Sequence, residues 1–223
     1  MKIASLFSGG KDSVYATYLV QKEEHSIECL VSVFSENKES YMFHTPSVEK
    51  VVNQAEVMGI PLVIEKTKGE KEIELEDLER VLLKVKEEYG VEGIVTGAIQ
   101  SVYQASRIQK ICDKLGLKCL NPLWQRDEAE YLDELLRENF KVILVGVFAY
   151  PFDESWLGRE INEEFIKEIN LLNEKYKIHV AGEGGEFETF VLNCPMYSKE
   201  LKVIDKKVLR EGDYSFRLEI EVE

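Results

Sequence analysis

The hexapeptide Ser8-Gly9-Gly10-Lys11-Asp12-Ser13 stands directly between the apolar run Ile3-Ala4-Ser5-Leu6-Phe7 and the amphipathic run Val14 to Gln21. An apolar run of strand length, a glycine turn and a helical repeat predict strand, turn and helix in that order. At such a junction the first helical N–H groups have no intrahelical partner. The aligned peptide dipoles converge there as partial positive charge, which suits a phosphate. Two glycines let backbone approach an anion closely, Ser8 and Ser13 add hydroxyls, and Lys11 adds a charge. The loop reads as a phosphate cradle; its minimal reading is a turn whose serines only cap the helix.

Outward from the loop, Ile27 to Phe34 is an apolar run of the kind buried on both faces of a sheet. Residues Ser35 to Thr45 are polar and irregular, and Pro46-Ser47 opens a helical pattern that Gly59 stops. Leu62-Val63-Ile64 is a third strand, and Glu70 to Tyr89 is an amphipathic helix ended by Gly90. Ile94-Val95 leads into Thr96-Gly97-Ala98, a helix follows from about Ser101 to Leu115, and Leu117 to Leu120 is a fifth strand. Five strands alternating with helices, joined by links too long for hairpins, predict an α/β fold with a five-stranded parallel, doubly wound sheet. Ligands of such sheets bind at the carboxyl ends of the strands, so Ser8–Ser13 and Thr96-Gly97-Ala98 should open onto one crevice.

The pattern changes beyond Asn121-Pro122, which sets a boundary between a nucleotide-binding domain at 1–121 and a smaller α+β domain at 122–223. Helices are expected at Asp127 to Asn139 and Asn162 to Lys175, and strands at Val142 to Ala149, Leu201 to Val208 and Tyr214 to Val222. Between them, Glu183-Gly184-Gly185-Glu186-Phe187-Glu188-Thr189 packs three carboxylates and two glycines into seven residues. If 186–192 is a strand, alternation places Glu186, Glu188 and Phe190 on one face. Glu186 and Glu188 would then project together into an inter-domain cleft, to bind Mg2+, an ammonium ion or a cationic substrate, or to relay protons. The competing reading is an acidic hairpin loop on an already acidic protein.

Composition narrows the function classes. The formal net charge of −14 over 223 residues argues against broad attraction to nucleic acid, which is bound through clustered Lys and Arg. The longest apolar run, Val142 to Tyr150, is strand length, and Met1-Lys2 runs straight into the first strand, so neither a membrane span nor a signal peptide is expected. Cys29, Cys112, Cys119 and Cys194 show no Cys-x-x-Cys spacing and read as reduced structural thiols of a cytoplasmic protein. His25, His44 and His179 show no ligand or triad spacing and receive no role.

The loop is not of the Walker type, which needs four residues between its glycines and Ser or Thr directly after its lysine. It resembles instead the pyrophosphate loop of the adenine nucleotide alpha hydrolase superfamily. Taken together, Ser8 to Ser13, Thr96 to Arg107, the Asn121-Pro122-Leu123-Trp124 corner and Glu183 to Thr189 resemble the diphthamide synthase family of diphthine-ammonia ligases, in its compact archaeal-type form without the carboxy-terminal extensions of larger eukaryotic members. The resemblance implies ATP-dependent amidation of the diphthine carboxylate on elongation factor two. An acyl-adenylate forms with release of pyrophosphate, and ammonia then displaces AMP. It further implies that Ser8, Gly9, Gly10, Lys11 and Ser13 hold ATP phosphates, and that Lys11, Asp12, Glu183, Glu186 and Glu188 carry the chemistry. Asp12 is either the Mg2+ ligand or a helix cap. Gly97 either lets the nucleotide approach or simply turns the chain, and Arg107 and Lys110 either neutralise the alpha phosphate or lie on the surface. Tyr103, Trp124 and Trp156 either line a pocket for the trimethylammonium group or pack.

Three rivals remain at this level. A tRNA-modifying enzyme with the same loop usually needs a basic surface and often a cysteine pair. A non-catalytic ATP-binding regulatory protein would not need the acidic stretch. A ligase amidating a small metabolite would differ only in its acyl substrate. No glutaminase segment is evident, which points to free ammonium as the nitrogen donor.

Overall fold

The computed structural model describes residues 1–35, 48–68 and 73–223. The irregular stretch after Ser35, the Pro46-Ser47 helix start, His44 and the expected first turn of the third helix at 70–72 lie outside the described residues. The chain divides into two compact units, Met1–Trp124 and Gln125–Glu223.

In the first unit, strands β1 (Lys2–Leu6), β2 (Ser26–Ser35), β3 (Leu62–Thr67), β4 (Gly93–Val95) and β5 (Lys118–Leu120) alternate with helices α1 (Lys11–Lys22), α2 (Val48–Met58), α3 (Ile73–Tyr89) and α4 (Val102–Leu115). Every pairing is parallel and the order is β3-β2-β1-β4-β5. Cys29 to Ser35 of β2 are all buried, as a strand covered on both faces requires. One face presents Ala4, Cys29, Val31, Val33 and Ile94 to Leu78, Val81, Leu82 and Val85 of α3 and to Ile108, Ile111 and Cys112 of α4. α1 packs on β1, β2 and β4, and α2 on β2. The doubly wound sheet expected from the alternating pattern is therefore present. Its strand order reverses direction between β1 and β4, and the two loops that leave those strands are Ser8 to Gly10 and Thr96 to Ser101. A crevice at such a switch point is where open α/β sheets bind ligands.

In the second unit, α5 (Glu128–Arg137), β6 (Lys141–Val147), α6 (Glu163–Tyr176), β7 (Phe187–Asn193), β8 (Val203–Arg210) and β9 (Phe216–Val222) build an antiparallel sheet in the order β7-β6-β9-β8. Asp127 and Asn162 cap the two helices, each side chain accepting a backbone N–H at 2.9 Å. Phe152, Trp156, Phe165 and Phe187 stack edge to face, with ring centroids 4.9 to 6.1 Å apart, and form the aromatic part of this unit's core. β9 alternates buried and exposed residues as expected, but β8 is exposed along almost its whole length. The reason is position: β8 is an edge strand, and Lys206 and Lys207 keep it from pairing further. Among the described residues no helix is long and apolar enough to cross a membrane.

Candidate active site

Gly10 is the N-cap of α1, and no side chain caps this helix. The serines are turned inward instead. Ser13 Oγ accepts the Ser8 N–H at 3.1 Å, lies 3.1 Å from Ser8 Oγ and donates to the Gly10 carbonyl at 3.1 Å. The loop thus holds its own shape, with the Gly10 N–H 3.4 Å from Ser8 Oγ, at a helix N-terminus that carries partial positive charge. Further bracing comes from Thr17, whose hydroxyl donates to the Ser13 carbonyl at 2.6 Å and meets Ser5 Oγ of β1 at 2.7 Å. Gly9 has φ of 79° and its carbonyl accepts from Gln54 Nε2 at 3.0 Å, a tie from α2 across 45 residues of sequence.

Lys11 is 3% exposed, and its Nζ lies 2.9 and 3.0 Å from the two oxygens of the Asp12 carboxylate. The ammonium therefore already serves an anion at the mouth of the helix. Asp12 accepts from it in the first turn of α1. Gly97 is pressed against this same turn: a Cβ there would stand 2.7 Å from both the Asp12 carbonyl carbon and the Ser13 nitrogen. Glycine is required at position 97 because the loop after β4 packs directly on the phosphate loop. Thr96 is fixed by a 2.5 Å bond from its hydroxyl to Asn121 Oδ1. Arg107 is spent differently, its guanidinium lying 3.5 Å over the Tyr103 ring, and Lys110 is exposed. Trp156 is core, with Arg159 stacked on it at 4.1 Å, whereas Trp124 lines a shallow groove with Val102 and Asn121. Tyr103 and Trp156 thus pack and Trp124 alone of the three faces an open groove.

The acidic loop belongs to the second unit. β7 begins at Phe187, so Glu186 precedes the strand and its side chain is not bound by the expected alternation. Its carbonyl accepts from Phe148 N at 2.8 Å, while its Oε1 accepts from the backbone N–H of His179 at 2.8 Å. The residue is 7% exposed, and Oε2 is buried without a hydrogen-bond partner. Gly184 lies over this carboxylate so closely that a Cβ would come within 2.7 Å of Oε1. Glu188, by contrast, reaches across the sheet. Glu188 and Arg217 are both register partners of Gly146 in the central strand, and with no side chain between them they meet at 2.6 Å. The paired projection expected of Glu186 and Glu188 is replaced by two different environments, one a buried carboxylate and the other an ion pair.

His179 received no role from spacing, yet it sits at the centre of this loop. Its Nδ1 is 2.9 Å from Glu128 Oε1, and Glu128 Oε2 accepts the Ala181 N–H at 2.7 Å. The bond to Glu128 holds the imidazole above the ordinary histidine range against a smaller opposing effect of burial, and the charges of Glu186 and Glu183 add to the rise. The group has its raised pKa in the folded state. Its stabilisation is therefore fully present below the unfolded pKa and is lost as pH rises through the folded one. Glu128→Gln should accordingly cost more stability, in urea unfolding, at about pH 6 than at about pH 9; an equal cost at both would mean that Glu128 does not hold the proton on His179. Glu128 precedes His179 by 51 residues, and that separation hid the pair from any reading of local spacing. Burial pushes the Cys29 and Cys194 thiols up to about 12.

A family model described as the Diphthamide synthase N-terminal domain matches residues 1–119, and one described as the Diphthamide synthase C-terminal domain matches residues 127–221. A protein of Danio rerio named diphthine–ammonia ligase is 35% identical over 234 residues, covering 97% of this chain and 91% of its own length. A Mus musculus protein of the same name is 36% identical over 237 residues, covering 97% and 88%. A Schizosaccharomyces pombe protein of that name is 33% identical over 228 residues, which are 95% of this chain but 38% of the longer protein. With both domains matched in order and whole-length relatives above 30% identity, the chain belongs to the diphthamide synthase family.

Proposed function

We propose that the protein is an ATP-dependent diphthine–ammonia ligase acting in the cytoplasm on elongation factor two. The observation that carries this reading is the match of both diphthamide synthase halves, at 1–119 and 127–221. In the first step a carboxylate oxygen of diphthine attacks the alpha phosphorus of ATP, and the bond to the bridging oxygen breaks. The helix N-terminus at Gly10, the Ser8 and Ser13 loop and the buried Lys11 receive the departing pyrophosphate, stabilising charge as it develops. Asp12, beside Lys11 in the first turn of α1, is the carboxylate suited to hold Mg2+ together with phosphate oxygens and water, and bound there the ion would neutralise phosphate charge. In the second step ammonia attacks the acyl carbon and AMP leaves.

Glu186 and Glu183 are the groups that draw in the ammonium ion, Glu186 offering a buried carboxylate oxygen with no other partner. The negative surface fits a protein substrate better than a nucleic acid. The test is to follow the products of ATP with purified protein, Mg2+, ammonium and diphthine-bearing elongation factor two, leaving out each in turn. AMP and pyrophosphate that require the protein substrate, with a mass change on that substrate matching an amide, are the expected result. AMP formed only with another carboxylate would move the substrate, and ATP binding without AMP under every combination would end the ligase reading.

A further inference from the structure

We infer that His179 is the proton acceptor for the ammonium held at Glu186, and that Glu128 is the residue that positions it. This rests on the ligase reading and adds to it the group that makes ammonium a nucleophile. Ammonium has no lone pair and is the dominant form near neutral pH, so a carboxylate that only binds it would also hold it inert. A neighbouring base is needed.

Five observations support His179 in this role. An ionised Glu128 can only accept, so the 2.9 Å contact places a proton on Nδ1 and leaves the lone pair of the neutral ring on Nε2. The second oxygen of Glu128 is bound to the Ala181 N–H at 2.7 Å, so the carboxylate cannot rotate away and the ring plane is fixed. The His179 backbone N–H donates to Glu186 Oε1 at 2.8 Å, which keeps the imidazole within one side-chain length of that carboxylate, whose other oxygen is buried and without a partner. The His179 side chain is 43% exposed, so its ring can pass a proton on to water. Glu128 from α5 is bonded to the ring, and the charges of Glu128 and of Glu186 and Glu183 in the loop before β7 favour its taking up a proton.

Ammonium gives one proton to His179 Nε2, and the lone pair so released forms the C–N bond to the acyl carbon. The acyl carbon–oxygen bond to the AMP phosphate breaks, AMP leaves with that electron pair, and the second proton lost from nitrogen goes to the leaving phosphate. The imidazolium returns its proton to water before the next turnover.

Hydroxylamine separates this role from a structural one, because it is largely uncharged near neutral pH and needs no base to become a nucleophile. In the full protein, His179→Gln should slow amide formation from ammonium by about 100-fold, within the usual range for losing a general base, while hydroxylamine restores most of the rate as hydroxamate. Glu128→Gln keeps an acceptor for Ala181 N–H but removes the charge, so the limb of the pH–rate profile that reports the base should move to lower pH. Equal losses with both nucleophiles, or a limb that stays in place, would overturn the assignment and leave the pair as a loop clamp. A wild-type protein that makes neither amide nor hydroxamate would overturn the ligase reading itself, which is a different failure. Should His179→Gln unfold, as judged by its thermal transition, the profile of Glu128→Gln decides.

Discussion

Gly97→Ala is expected to weaken ATP binding by about 100-fold, the cost typical of displacing a binding constellation by roughly 1 Å. The new Cβ would stand 2.7 Å from the Asp12 carbonyl carbon and the Ser13 nitrogen and 3.0 Å from the Asp12 oxygen. These are backbone atoms in the first turn of α1, and no rotamer change can move them. Either the loop after β4 or the Ser8–Ser13 loop must shift, and the helix N-terminal N–H groups proposed to bind phosphate shift with it. Overpacking of this kind also costs stability, about 1–3 kcal/mol. Gly9→Ala is the instructive comparison. Its Cβ would meet Gln54 Oε1 at 2.2 Å, a side-chain atom and not backbone, and the φ of 79° strains any side chain placed there. Calorimetric titration with ATP checks both, and wild-type affinity in Gly97→Ala would remove the loop from nucleotide binding.

Glu186→Gln should lower amide formation by about 100-fold or more, the scale of losing one electrostatic group at a reacting centre, while ATP affinity stays at the wild-type value. The substitution is isosteric, and the amide oxygen can still accept the His179 N–H that Oε1 accepts now. What disappears is the charge on a carboxylate whose second oxygen is buried without a partner. A steady-state assay of amide formation, beside a binding titration with ATP, separates the two effects. Unchanged turnover would remove Glu186 from the chemistry. Glu188 offers a contrast within the same seven residues: its charge is taken up by Arg217 at 2.6 Å, so it is a member of the sheet before it is anything else.

The fold was legible from Ile3 to Leu120 because a sheet covered on both faces needs apolar runs, and each run is local. Ile27 to Phe34 announced β2, and Gly59, Gly90 and Gly116 marked the helix ends, all three with positive φ. The shape of the Ser8–Ser13 loop was equally plain, since the bonds that join Ser8, Gly10 and Ser13 are local. The acidic loop was visible as composition, but its geometry was not. Alternation predicted a shared face for Glu186 and Glu188, whereas the strand starts one residue later and Glu186 turns to the backbone of His179. His179 and Glu128 meet through tertiary structure alone, and no periodicity within either segment reports a partner 51 residues away. Gly97 was seen as a glycine at a strand end; that its missing side chain makes room for Asp12 and Ser13 is knowledge only of packing. The exposure of β8 likewise follows from its place at the sheet edge, which its own residues do not declare.

The strand order β7-β6-β9-β8 also governs the timing of assembly. Among the described residues β9, Phe216–Val222, is the last strand along the chain, but it lies inside its sheet, joining β6 to β8. On the ribosome the parallel sheet has all its strands once Leu120 has emerged, and its interior can close while the second half is still being made. The antiparallel sheet cannot: until Phe216–Val222 arrives, β8 has no neighbour and β6 is paired on one side only. A nascent chain stalled before Phe216 would therefore carry a finished parallel-sheet half beside an acidic loop whose supporting sheet has yet to form.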